Sequence, residues 1–281
     1  FRPLLLTLLA AILSAAIALP ARPAAAQTAT PPAVASAQKE QPVTTEQGDE
    51  VSAPAFKLGQ NAYVYEFKAG RRVTKLNYLL YLPESYGKDP YATYPLIVFM
   101  HGSRELGKNI DKVKNAVLPA RLENEPDFPA IVLSPQAPAF SWDGSVGAIS
   151  ALLDDLQSQL SIDPNRVYVT GLSMGAYGAW ALAMKNQDRF AAIISVVGGY
   201  YYSAKQLCAL KDVPVWVFAG KKDRNVNPKE SLAIVSALKG CGADPKFTFY
   251  EDANHDQGWQ RAYAEPEFFT WLLEQRRPQA E

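Results

Sequence analysis

The chain has 281 residues, enough for one large domain or two small ones, and its 48% apolar content supplies material for a sizeable core. Lys plus Arg and Asp plus Glu number 28 each. That balance excludes the basic field that holds nucleic acid or an anionic membrane surface, so no nucleic-acid partner is expected.

Residues 1–26 open with Arg2, an apolar stretch from Leu4 to Leu19, Pro20, and the small run Ala24-Ala25-Ala26 before Gln27. This is the pattern of a signal peptide with an A-x-A cleavage site, which implies a secreted or periplasmic protein. An uncleaved membrane anchor is the alternative, because the stretch falls only slightly short of the ~20 residues a spanning helix needs. Residues 27–53, rich in Ala, Pro, Gln, Thr and Glu without apolar periodicity, read as a disordered linker. Residues 54–281 are left as the folded domain.

Within that domain, Phe56 to Phe67 and Thr74 to Leu82 read as an antiparallel pair turning near Gly70-Arg71. Short apolar runs follow at 96–100, 130–133, 167–169, 193–197, 215–218 and 247–250, and such runs suit strands buried on both faces. Helical patterns lie between them at about 146–160, 174–186, 228–239 and 261–276. Asn227-Pro228 supplies an N-cap and a first-turn proline for the third of these, and Lys239-Gly240 closes it. The alternation predicts an α/β fold: a mostly parallel, eight-stranded sheet with helices on both faces.

Cys208 lies just before the run starting at Val213, and Cys241 just before the run starting at Phe247. If these runs are neighbouring parallel strands, both thiols sit near one edge of the sheet. A disulfide is then expected, with two inert buried thiols as the alternative. Two Cys and two His at scattered positions are too few for a metal site, and none is expected.

In an open parallel sheet the site lies at the carboxyl ends of the strands. After the strand ending at Thr170 comes Gly171-Leu172-Ser173-Met174-Gly175 and then a helical pattern. The small flanking residues allow a sharp strand-to-helix turn that holds a serine hydroxyl outward, and the helix start aims backbone N-H groups at developing negative charge. A tight βα turn whose serine merely caps the helix is the plainer alternative. Serine needs a base, and there are two histidines. Chain order in such sites, serine then acid then histidine, selects His255 over His101, which is expected to pack under the site. Asp223, on the loop after the penultimate strand, is the expected acid, because Asp212 is at the wrong end of that strand and Asp252 and Asp256 flank His255 too closely. Met174 N-H and Ser103 N-H are the expected oxyanion donors, with Arg104 a less favoured candidate. Trp142, Tyr200 and Trp259, near the same strand ends, are candidates for substrate contact, with loop packing as their other reading.

The stretches Tyr94 to Ser103, Ile131 to Gln136, Val167 to Gly178, Leu210 to Trp216 and Ala253 to Asp256 together resemble the secreted carboxylesterases and predicted peptidases of the α/β-hydrolase fold that lie near feruloyl esterases and polyhydroxybutyrate depolymerases. The resemblance covers about residues 55–277. It implies hydrolysis through an acyl-enzyme with no cofactor, and Ser173, Asp223 and His255 match its triad positions. In one place the sequence departs. The group's loop commonly reads His-Gly-Ser-Gly-Glu-Arg-Gly, whereas here it is His101-Gly102-Ser103-Arg104-Glu105-Leu106-Gly107. Arg104 therefore replaces a glycine beside the oxyanion hole, and Leu106 replaces an arginine; Arg104 is a further candidate for substrate contact.

The expectation is a serine carboxylic-ester hydrolase acting on a small-molecule or polymer ester, of feruloyl or polyester type. A membrane partner is expected only if residues 1–26 stay uncleaved. A serine peptidase or acylaminoacyl hydrolase, and a non-catalytic binding member of the fold, are the alternatives.

Overall fold

A computed structural model describes residues 56–277 of the chain. The signal segment at 1–26 and the linker at 27–53 lie outside the described residues. In chain order the elements are β1 (Gly59–Ala69), β2 (Arg72–Leu82), β3 (Tyr94–Met100), a 3-10 turn (Ser103–Glu105), α1 (Asp111–Lys114), α2 (Val117–Leu122), β4 (Ile131–Pro135), α3 (Asp143–Gln159), β5 (Ile162–Leu172) and α4 (Met174–Lys185). They continue with β6 (Ala192–Val196), α5 (Ala204–Leu207), a second 3-10 turn (Cys208–Leu210), β7 (Val215–Gly220), α6 (Pro228–Gly240), β8 (Lys246–Tyr250), α7 (His255–Ala264) and α8 (Glu267–Glu274).

The eight strands form one sheet in the order β1-β2-β4-β3-β5-β6-β7-β8. β2 runs antiparallel to both β1 and β4, and every other pair is parallel. The β1-β2 hairpin turns through Gly70 and Arg71, with Gly70 supplying the positive φ (59°) that a two-residue hairpin turn requires. Side-chain alternation along the strands feeds two cores. Leu96, Val98, Met100, Val215 and Val217 face the layer formed with α3, α4 and α6, while Ile97, Phe99, Trp216 and Phe218 face the layer formed with α2, α7 and α8.

α6 begins as its sequence predicts, the Asn227 side chain accepting from Lys229 N-H with Pro228 in the first turn. The last predicted helix, at 261–276, is instead two. Pro266 has no N-H to continue the ladder and holds Glu265 extended at ψ 124°, which separates α7 from α8. α7 also starts earlier, at His255. Asn254 and Gln257 form a reciprocal capping box there, a signal present in the sequence as Asn254-His255-Asp256-Gln257. Cys208, leading into β7, is disulfide-bonded to Cys241, which caps the end of α6. Both lie at the amino-terminal edge of the β7-β8 pair. Among the described residues no helix is long and apolar enough to cross a membrane.

Candidate active site

Ser173 stands where β5 turns into α4, at φ 54° and ψ −123°, a backbone conformation that non-glycine residues rarely adopt. The turn is possible because a Cβ at Gly171 would collide with the Gly175 carbonyl, and one at Gly175 with the Met100 carbonyl. The two glycines of the motif thus let the first turn of α4 touch the ends of β5 and β3. Ser173 N-H donates to Val196 O at 2.9 Å and fixes the elbow to β6. Its neighbour beyond β6, Val197, is also held at positive φ (43°), buried against the place where Gly258 of α7 approaches. A Cβ at Gly258 would lie 2.5 Å from Val197 Cγ1, so this glycine lets the helix carrying His255 lie against the elbow's neighbour.

His255 is the first residue of α7, set in place by the Asn254 capping box. Its Nδ1 is 2.7 Å from Asp223 Oδ2, and its Nε2 is 2.9 Å from Ser173 Oγ. Asp223 sits on the β7-α6 loop, buried, with its other oxygen Oδ1 accepting from Asn225 N-H (2.9 Å) and Val226 N-H (3.0 Å). A carboxylate held this way accepts from Nδ1-H and leaves Nε2 free to take the serine proton. The structure therefore brings Ser173, His255 and Asp223 from three different loops into one hydrogen-bonded chain.

His101 is fully buried and both of its ring nitrogens meet backbone groups. Ala137 N-H donates to Nε2 at 3.0 Å, so Nδ1 carries the hydrogen and donates to Gly102 O at 2.6 Å. Burial lowers its pKa to about 4, which leaves it neutral near neutral pH. Trp142, a candidate substrate contact in the sequence, is 2% exposed, lies beside His101 with ring centroids 4.7 Å apart, and donates from Nε1 to His101 O at 3.3 Å. It supports the loop from below and does not line the pocket. Tyr200 does not line it either, being half-buried against the core on the α3-α4 side. Large rings near strand ends can serve either purpose, and only packing separates them.

A cavity of about 500 Å³ opens over Ser173, lined by Gly102 to Glu105, Asn115 to Val117, Leu172, Asn225, Val226, His255, Asp256 and Trp259. Ser103 heads the 3-10 turn after β3, and Met174 heads α4. First-turn amides of both elements lack partners within them and can serve an anion. The Ser103 loop is braced by Gln136, whose Nε2 donates to Glu105 O (2.8 Å) and Asn109 O (2.7 Å). Sequence reasoning gave this residue no role, since a buried amide just past the end of a strand carries no motif of its own. Glu105 folds into the same region, 3.7 Å from His101 Nδ1, and burial raises its carboxyl pKa. Arg104 and Trp259, both candidate substrate contacts, do line the cavity, and both are engaged with Asp256. Arg104 Nη2 donates to the two carboxylate oxygens at 2.9 and 2.8 Å, and Trp259 Nε1 donates to Oδ1 at 3.3 Å. Among the described residues no group of three or more His, Cys, Asp or Glu side chains stands in metal-binding range.

A mostly parallel eight-stranded sheet, with a serine elbow after β5, an acid after β7 and a histidine after β8, defines the α/β-hydrolase fold. Residues 128–263 match the model of the Dienelactone hydrolase family. The chain is 39% identical over 64 residues to "Poly(3-hydroxyalkanoate) depolymerase C" of Paucimonas lemoignei, covering 23% of this chain and 16% of that protein. It is 30% identical over 129 residues to "Probable feruloyl esterase C" of Aspergillus terreus, covering 43% and 46%. Among solved structures, a thermostable esterase superimposes with a TM-score of 0.67 at 30% identity, over 77% of this chain and 63% of that one. The chain thus has the α/β-hydrolase fold, and the proteins it is similar to include esterases, a probable feruloyl esterase among them. It spans less than half the length of the two curated relatives it matches.

Proposed function

We propose that this protein is a serine carboxylic-ester hydrolase, with Ser173 as nucleophile, His255 as base and Asp223 as the residue that orients it. The observation that carries this reading is the hydrogen-bonded chain from Asp223 through His255 to Ser173 Oγ, opening onto a cavity large enough for an acyl group. Ser173 Oγ adds to the ester carbonyl carbon as its proton passes to His255 Nε2, and Asp223 stabilises the imidazolium. The oxyanion is received by Met174 N-H and Ser103 N-H. Collapse breaks the bond from carbon to the leaving oxygen, which takes the proton from Nε2. Water, deprotonated by the same nitrogen, then releases the acid and restores Ser173.

Leu172, Val117, Val226 and the Trp259 ring give the cavity an apolar wall suited to an aromatic or alkyl acyl chain, in line with the feruloyl and polyhydroxyalkanoate esters named for its relatives. The Cys208-Cys241 bridge supports an exported protein, because disulfides persist in oxidising compartments. The test is a panel of p-nitrophenyl acetate, methyl ferulate and a peptide anilide, with fluorophosphonate labelling and Ser173→Ala as control. Ester turnover should fall by about four to six orders of magnitude in the variant while the fold persists. Anilide turnover without ester turnover would make the protein a peptidase, and folded protein that neither turns over nor labels would make it a binding module.

A further inference from the structure

Two cavities meet at His255. Beside the one over Ser173 lies a second, of about 420 Å³, lined by Lys222, Arg224, Asn225, Asn254, His255 and Asp256. The two share Asn225, His255 and Asp256, so His255 forms part of the wall of both.

The charges facing this second groove do not cancel. Asp256 is its one lining carboxylate, and Asp256 is already taken by Arg104. Lys222 and Arg224 have no ion-pair partner among the described residues. Lys222 lies in the field of Asp252, but that carboxylate is held by Arg261 through two hydrogen bonds of 2.6 and 2.9 Å. The backbone beneath the two cations is fixed. Lys222 N-H donates to Ala253 O at 3.0 Å, and the residues flanking Arg224 are Asp223 and Asn225, joined to each other by a hydrogen bond.

His255 Nε2 must hand its proton to the leaving oxygen, so the leaving alcohol departs within reach of Nε2, while the acyl group stays bonded to Ser173 in the main cavity. We propose, on the basis of the esterase reading above, that the second groove is a leaving-group subsite and that it favours alcohols carrying a carboxylate, held by Lys222 and Arg224. A hydroxy-acid unit, released from an ester with its own carboxylate free, has that chemistry.

The experiment compares 4-carboxyphenyl acetate with its neutral relative 4-carbamoylphenyl acetate on the full chain. The readout is the ratio of their kcat/KM values, followed across variants so that the intrinsic reactivity of each ester cancels. Lys222→Ala/Arg224→Ala should lower the ratio by about fivefold, the scale of two exposed charge contacts. Lys222→Glu/Arg224→Glu should lower it further, and Arg224→Lys should retain most of it. In the wild type the ratio should fall as salt rises, and in the double alanine variant it should not. A ratio that no substitution moves, with both esters turned over, overturns the subsite alone. Turnover of neither ester overturns the esterase reading and the subsite together.

Discussion

Arg104, the residue after Ser103, donates from Nη2 to both oxygens of Asp256, the residue after His255. The pair ties the loop that carries Ser103, the proposed oxyanion donor, to the helix that carries His255, the proposed base. The charge of Arg104 is already occupied by Asp256, which suits a positioning role in the proposed mechanism better than that of a free anchor for an anionic substrate. Its hydrogen bonds are also the first cause of the lowered pKa of Asp256.

Arg104→Ala should cost stability by less than about 1 kcal/mol, because both partners are substantially exposed and solvent screens them. It should lower kcat/KM by about tenfold, since small displacements of a donor loop are amplified in the reaction. NMR titration of the Asp256 carboxyl checks the cause: its pKa should rise toward the ordinary value in the variant. Equal losses of stability and turnover would count against a positioning role.

Asp223→Asn should lower kcat by about four orders of magnitude with little change in KM. Asp223 Oδ1 accepts from Asn225 and Val226 N-H groups, so the amide oxygen of the variant stays there and its NH2 faces His255 Nδ1. That forces the tautomer with hydrogen on Nε2, which cannot take the serine proton. Single-turnover kinetics with p-nitrophenyl acetate would measure the loss.

His101 is held neutral by burial, with its pKa lowered to about 4 against about 6.5 for the unfolded chain. The unfolded state therefore binds the proton first as pH falls. The stability contributed by this residue is complete above pH ~6.5 and is lost progressively down to pH ~4, by on the order of 3 kcal/mol. Urea denaturation at pH 7 and pH 4 should show a smaller drop for His101→Gln than for the wild type. An identical drop in both would mean that His101 is accessible to protons in the folded state.

Cys208→Ser/Cys241→Ser opens a link between residues 33 apart in sequence, worth up to about 4 kcal/mol by loop entropy. Thermal unfolding should shift down accordingly. Ester turnover at 25 °C should be retained, because the bridge lies at the amino-terminal edge of β7 and β8 while Ser173, Asp223 and His255 stand beyond the carboxyl ends.

Much of this arrangement was legible locally. The apolar strands, the sharp Gly171 to Gly175 turn, the Asn227-Pro228 helix start and the order serine, aspartate, histidine are short-range patterns whose physics is backbone sterics and burial. The capping box at Asn254 was equally local, although the sequence reading placed that helix farther along the chain. Trp142 and Tyr200 were not separable from Trp259 by sequence, because all three are large rings near strand ends. Only packing put Trp142 beside His101 and Trp259 in the cavity wall.

The sequence by itself determined the α/β class and which serine, histidine and aspartate could act together, since each is fixed by the element that carries it. Tertiary structure alone decided what surrounds them. Residues 104 and 256 lie 152 positions apart, and no local pattern joins them. Whether Arg104 is a free cation or a strap, and whether Lys222 and Arg224 find partners among the described residues, depends on long side chains that meet only after the sheet has closed its loops around one point.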